Sequence, residues 1–120
     1  MTSNPYSLPP AGKPRLAVVV AWAGDAHGLE AFLGRVAEVE GSGELEILVV
    51  GAAQLAAVRG GGALPKLRHI EASGNQPLSA LRRAGMQAAT GDIIILTDHR
   101  EVDFDRRLVG LMHANGSGVR

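Results

Sequence analysis

The sequence predicts an α/β fold: a three-layer α/β/α arrangement around a doubly wound, mostly parallel sheet of about four strands. Three observations predict it. Apolar runs recur along the 120 residues. Three of these runs are nearly continuous Val, Ile and Leu, as strands covered on both faces read. Between the runs lie stretches with helical spacing of apolar positions, and the links are short, which is the alternation of a doubly wound sheet.

The first run is "RLAVVVAW", 15–22. In the "HGLEAFLGRVAEVE" that follows, Leu29, Phe32, Leu33 and Val36 fall at i, i+3, i+4 and i+7, one face of a helix. Asp25 stands where an N-cap belongs. The second run is "ELEILVVG", 44–51, and the short Ala-rich "AAQLAAVRGGG" after it reads as a helix ended by three glycines. The third run, "KLRHIEA" at 66–72, is shorter and alternates, which places it nearer an edge. In "PLSALRRAGMQAATG" the stripe Leu78, Leu81, Ala84, Gly85, Ala88 marks a second strong helix, with Pro77 in its first turn and Gly91 as its stop. Gly85 suits close packing of that helix on the sheet. The fourth run is "DIIILT", 92–97, with Asp92 serving the turn into it. A last helix is expected in "FDRRLVGLMHA", with Phe104, Leu108, Leu111 and Met112 on one face. Residues 1–14, rich in Pro and Ser, read as a disordered leader, 15–114 as one domain and 115–120 as a frayed tail.

Composition narrows the function classes. Twelve basic residues balance twelve acidic ones, so no general electrostatic pull draws the chain to nucleic acid or to an anionic membrane. No cysteine is present, which excludes disulfides and thiolate metal sites. No apolar run approaches the roughly 18 residues of a membrane span, and no secretory signal is visible, so a cytoplasmic location is expected. The rival motifs are missing. There is no G-x-G-x-x-G after the first strand, no P-loop and no G-x-S-x-G elbow. His27, His69, His99 and His113 show no paired spacing for zinc.

Ligands of open α/β sheets sit at the carboxyl ends of the strands. Those ends carry Trp22-Ala23-Gly24-Asp25, Gly51-Ala52-Ala53-Gln54, Ser73-Gly74-Asn75-Gln76 and Asp98-His99-Arg100. Two glycine-containing loops and one Asp-His-Arg cluster suit a phosphorylated ligand.

The segments "LAVVVAWAGD", "ELEILVVGAAQ" and "LRHIEASGNQPLSALRRAGMQAATGDIIILTDHREVD" resemble the N-terminal half of family-2 glycosyltransferases of the GT-A fold, a Rossmann-like half domain. The most specific match is "NQPLSALRRAGMQAATGDIIILTD", 75–98, and the resemblance spans 15 to about 114. It implies binding of a nucleotide-diphosphate sugar, with Trp22, Gly24, Asp25, Gly51, Gln54, Arg82, Asp98, His99 and Arg100 at the donor. It also implies a divalent cofactor, Mg or Mn, at Asp98, because a cation offsets the charge that builds on a leaving diphosphate. The acceptor side and the catalytic base belong to the other half of such domains, so this chain is expected to be inactive or incomplete alone. A partner chain or a second copy would complete it.

The chain departs from the family pattern where chemistry is concentrated. Gly51-Ala52-Ala53-Gln54 stands in place of Asp-Asp-Gly-Ser, and Asp98-His99-Arg100 in place of Asp-x-Asp. Gly24 and Arg83 replace two family asparagines, while Arg82 aligns with the family arginine. Asp98 has two readings, a metal or ribose contact or a cap on the strand-end turn. His99 and Arg100 are either a direct cationic clamp on a diphosphate or a solvated loop. The "TDHRE" stretch is similar to the Glu-Asp-His-like triplet of some divergent relatives. A register shift would instead bring Glu101 or Asp103 into play. Asp25 is either a cap or a nucleoside contact, and Trp22 either a base-stacking platform or a packing residue. The alternative to donor binding is a non-catalytic GT-A-like module for protein interaction or oligomerisation, using a sheet edge left uncovered.

Overall fold

β1 (Leu16–Trp22) is the spine of the molecule, buried along its whole length. The computed structural model of the chain describes residues 14–58, 63–72 and 76–115. β1 lies between β2 (Glu46–Gly51) and β4 (Ile93–Asp98), and β3 (Leu67–Glu71) pairs outside β2, giving the order β3-β2-β1-β4. All three pairings are parallel, with Ala17 opposite Glu46, Ala21 opposite Asp98 and Gly51 opposite Glu71 in register. The four carboxyl ends therefore share one rim.

Helices cover both faces. α1 (Ala26–Ala37) and α3 (Phe104–Ala114) pack with the Leu16, Val18, Val20 and Trp22 face of β1, burying Leu29, Phe32, Leu33, Val36, Phe104, Leu108 and Met112. α2 (Leu78–Ala88) covers the opposite face, where Val19, Ala21, Leu48, Val50 and Leu81 are buried. Phe32 and Phe104 stack with ring centres 5.7 Å apart, which ties α1 to α3. Asp25 caps α1 as its position predicts, its Oδ1 accepting from the Gly28 N–H at 2.6 Å. Pro77 precedes α2, and the helix ends before Gly91.

Two expectations are corrected. The stretch after β2 is a 3₁₀ turn, Ala53–Ala57, and not an α-helix. It offers one buried apolar residue, Leu55, too few for an amphipathic stripe. The glycines expected to end it lie among residues 60–62, outside the described residues. β4, read as covered on both faces, is an edge strand: Ile93 is 43% and Ile94 37% exposed, while Ile95, Thr97 and Asp98 are buried. No strand among the described residues lies beyond β4. The Asn115 side chain donates to the Pro14 carbonyl at 3.1 Å, joining the entrance of β1 to the end of α3.

Candidate functional site

A cleft of about 580 Å³ opens at the carboxyl rim over β1, β2 and β3. Trp22, Gly24, Gly51 and Gln54, four of the residues singled out from sequence, line it, together with Ala72, Pro77 and Leu81. Gly51 is required by packing: a Cβ there would meet Leu55 Cδ1 at 2.5 Å and the Trp22 carbonyl at 2.6 Å. The cleft is thus shaped by the close approach of the β2 exit to the β1 exit. His69 hydrogen-bonds the Ala52 carbonyl at 3.0 Å and secures the same exit from the β3 side.

A second set of residues meets beside the cleft. The chain steps from β1 out to β3 and then returns across the sheet to β4, so the topological switch point lies between β1 and β4. Asp98 occupies that point, next to Ala21, and points to the α2 face. Its Oδ2 accepts from Arg82, which α2 brings over the sheet, and from Arg100 Nη2 at 3.1 Å. Its Oδ1 accepts from the Arg100 backbone N–H at 2.9 Å and from Arg100 Nε at 3.3 Å. Asp98 is 6% exposed. The Arg100 side chain beside it, opposed by burial and helped by the Arg100 backbone N–H and Arg82, lowers its carboxyl to about 2. Arg100 is raised in turn by the same pairing. Asp98 is thus both the turn cap foreseen for it and the anchor of two guanidiniums.

His99 joins the two sets. Its ring meets Trp22 edge-on at 5.9 Å, its Cβ lies 4.0 Å from where a Gly24 side chain would begin, and its Nδ1 is buried with no hydrogen-bond partner. The Trp22 ring packs on Phe32 at 5.4 Å and donates its N–H to the Asp25 carbonyl at 2.8 Å. It is a core ring at the cleft wall and not a platform for a base, because burial and that hydrogen bond fix it. Asp25 spends its carboxylate on the α1 cap and does not line the cleft. Arg83 is exposed, so Arg82 is the arginine of the pair that faces the rim.

The divalent ion implied by the family resemblance does not fit these residues. A carboxylate offers about four lone-pair sites, and Asp98 fills them with guanidinium and backbone N–H groups. Glu101, the candidate from a shifted register, accepts from Thr97 Oγ1 at 2.9 Å and from Arg107 Nη2 at 2.8 Å. Arg107 first, against burial, keeps the Glu101 carboxyl below its ordinary range. Asp103 sits at the start of α3, its carbonyl accepting from the Arg106 and Arg107 backbone N–H groups. Among the described residues no three His, Asp or Glu side chains gather as ligands.

Sequence reasoning missed two features. Arg107 Nη2 donates to the Leu96 carbonyl at 2.7 Å, so α3 places a cation against the edge strand. At the opposite end of the sheet, Glu46 accepts from the backbone N–H groups of Thr90 and Gly91 at 2.9 and 2.8 Å, from Thr90 Oγ1 and from Arg68. An acid opening an otherwise apolar strand was the available signal. Burial works against the charge on Glu46, but these hydrogen bonds prevail and its carboxyl is lowered. Ser73, Gly74 and Asn75, expected at the β3 exit, lie outside the described residues.

No family model, no curated protein and no solved structure matches the chain. Among the described residues no helix is long and apolar enough to cross a membrane.

Proposed function

We propose that this chain is a nucleotide-diphosphate-sugar-binding half of a GT-A-like, family-2 glycosyltransferase domain, non-catalytic by itself. One observation carries the reading. The rim of an all-parallel sheet holds a cleft of about 580 Å³ at three strand exits, with an arginine pair at the adjoining switch point. Apolar walls from Ala72, Pro77 and Leu81 suit a nucleoside, and guanidiniums suit the phosphates attached to it. The resemblance at 75–98 supports the same reading, since it runs through Arg82 to Asp98. In this reading the acceptor and the catalytic base come from elsewhere. Thermal melts with millimolar UDP-glucose or GDP-mannose test it. A ligand at ten times its Kd stabilises by about 1.4 kcal/mol, which raises Tm by several degrees in a domain of this size. An unchanged Tm with every nucleotide sugar refutes donor binding.

A second reading has its own observation. Ile93 and Ile94 are exposed on the outer edge of β4, where a second copy of the chain would add its own β4. In that reading the chain is a non-catalytic module that dimerises, and Arg107 on the Leu96 carbonyl confines the contact to the entrance half of the strand. Light scattering decides it: a dimer abolished by Ile94→Lys supports the module, and a monomer at high concentration excludes it.

A further inference from the structure

We propose that Arg82 and Arg100, held on Asp98, supply the positive charge that a divalent ion would otherwise supply, so that a diphosphate binds this rim without metal. This inference rests on the donor-binding reading and goes further by naming the charge carrier and the anchor. It starts from the mismatch between the acidic residues and a metal. Binding an ion through Asp98 would require displacing two guanidiniums and a backbone N–H from one carboxylate. The local charge opposes it as well. Arg82, Arg100 and Arg107 face Asp98 and Glu101, three cations against two anions. A further cation is repelled and an anion attracted.

The arginines remain able to bind while paired. A guanidinium has five N–H donors, and Asp98 takes Nε–H and one Nη2–H from Arg100. The Arg100 side chain is 66% exposed, so its remaining donors face solvent. Arg82 is 30% exposed and reaches the same carboxylate from α2. Two planar forks held on one buried anchor lose little freedom when a phosphate arrives, and each matches phosphate oxygens in bidentate fashion. Asp98 is then a positioning residue, touching the arginines and not the ligand. His99 and Gly24 bridge this cluster to the cleft that would hold the nucleoside.

Calorimetric titration of the full chain with UDP, GDP and free uridine tests the inference, each in EDTA and again with manganese. The expected result is diphosphate binding in EDTA with a Kd unchanged by manganese, and much weaker binding of uridine. Arg100→Ala should weaken UDP or GDP about tenfold or more, as loss of a charge-assisted contact does. Arg100→Lys should recover only part of that loss, because an ammonium cannot replace the fork, and Arg83→Ala should change nothing. The lysine variant keeps the charge and the Asp98 pairing, so it reports on binding even if the alanine variant folds poorly. Diphosphate binding that requires manganese overturns the inference and leaves the donor reading standing. Absence of nucleotide binding under both conditions overturns the donor reading and this inference with it.

Discussion

Two glycine-to-alanine substitutions in two helices should change stability in opposite directions. Replacing Gly by Ala inside a helix stabilises by about 1 kcal/mol when the methyl group meets nothing. Gly34 in α1 is that case: a Cβ built there finds no atom within 4 Å. Gly34→Ala is expected to gain up to about 1 kcal/mol. Gly85 in α2 is the reverse case. A Cβ there falls on Val19 Cγ1, with Val19 Cγ2 and Val50 Cγ2 each at 3.1 Å. Non-bonded carbons settle at about 3.5–4.0 Å. Val19 and Val50 are fully buried, and rotating χ1 of Val19 brings its other methyl into the same space. The helix must lift from the sheet. Overpacking of this kind costs about 1–3 kcal/mol, and a contact this short belongs at the upper end. Subtracting the helix gain leaves a net loss of about 2 kcal/mol, or roughly 10 °C in Tm. Urea titrations followed by circular dichroism measure both variants against the parent. A Gly85→Ala variant as stable as the parent would falsify the close seating of α2 on β1 and β2. That seating matters for the site, because it sets the height at which Leu81 and Arg82 reach the cleft and Asp98.

Two further predictions concern the acids. Asp98 sits at about 2 in the folded chain against an ordinary 3.8, so the native state holds its proton less tightly than the unfolded chain. Its contribution is complete above about pH 4 and is lost as pH falls toward about 2. The full shift corresponds to about 2.5 kcal/mol, and screening by solvent around the exposed partner Arg100 reduces this to about 1–2 kcal/mol. Urea midpoints of parent and Asp98→Asn, measured from neutral pH downward, should therefore converge over that interval; curves that stay parallel rule out the ion-pair account. Glu46→Ala removes Oε1, the oxygen that receives both the Thr90 and the Gly91 N–H groups, and should cost about 2 kcal/mol. Amide exchange at Thr90 and Gly91 should quicken in that variant, and unchanged protection there would show that Glu46 does not hold the turn.

The sheet was legible because its strands differ sharply in hydropathy from what joins them. β1 and β2 are apolar on both faces and lie at the centre, and the alternating β3 lies at an edge. The stripes Leu29-Phe32-Leu33-Val36 and Phe104-Leu108-Met112 face the core as their spacing requires. β4 misled because three isoleucines read alike whether covered or not; position in the sheet, which composition does not encode, leaves Ile93 and Ile94 at the open edge. The site was legible as a set of loops and not as a set of roles. Trp22 and Asp25 fall at the expected exit, yet local partners take both: Phe32 and His99 for the ring, Gly28 for the carboxylate. The pairing of Arg82 with Asp98 spans sixteen residues of sequence and depends on α2 crossing the sheet, which no local pattern announces.

Two strand exits contribute to the charge of the rim in the same direction. Gly51-Ala52 leaves the β2 exit without a carboxylate, and Arg100 sets a cation at the β4 exit. An acidic rim repels a diphosphate and needs an ion to accept it; a rim without those acids has no such need. A second carboxylate beside Asp98 would set metal in competition with Arg82 for the same oxygens. With Arg100 in that place the competition disappears, because both guanidiniums satisfy one buried acid and a net positive charge remains at the switch point. A rim without an acidic pair is therefore the one that favours an anion. In the donor-binding reading the apolar contact for a base falls to Leu81, Pro77 and Ala72, since Trp22 is fixed in the core. Anion and base would meet along one line, from the switch point at Asp98, past His99 and Gly24, to the α2 end of the cleft.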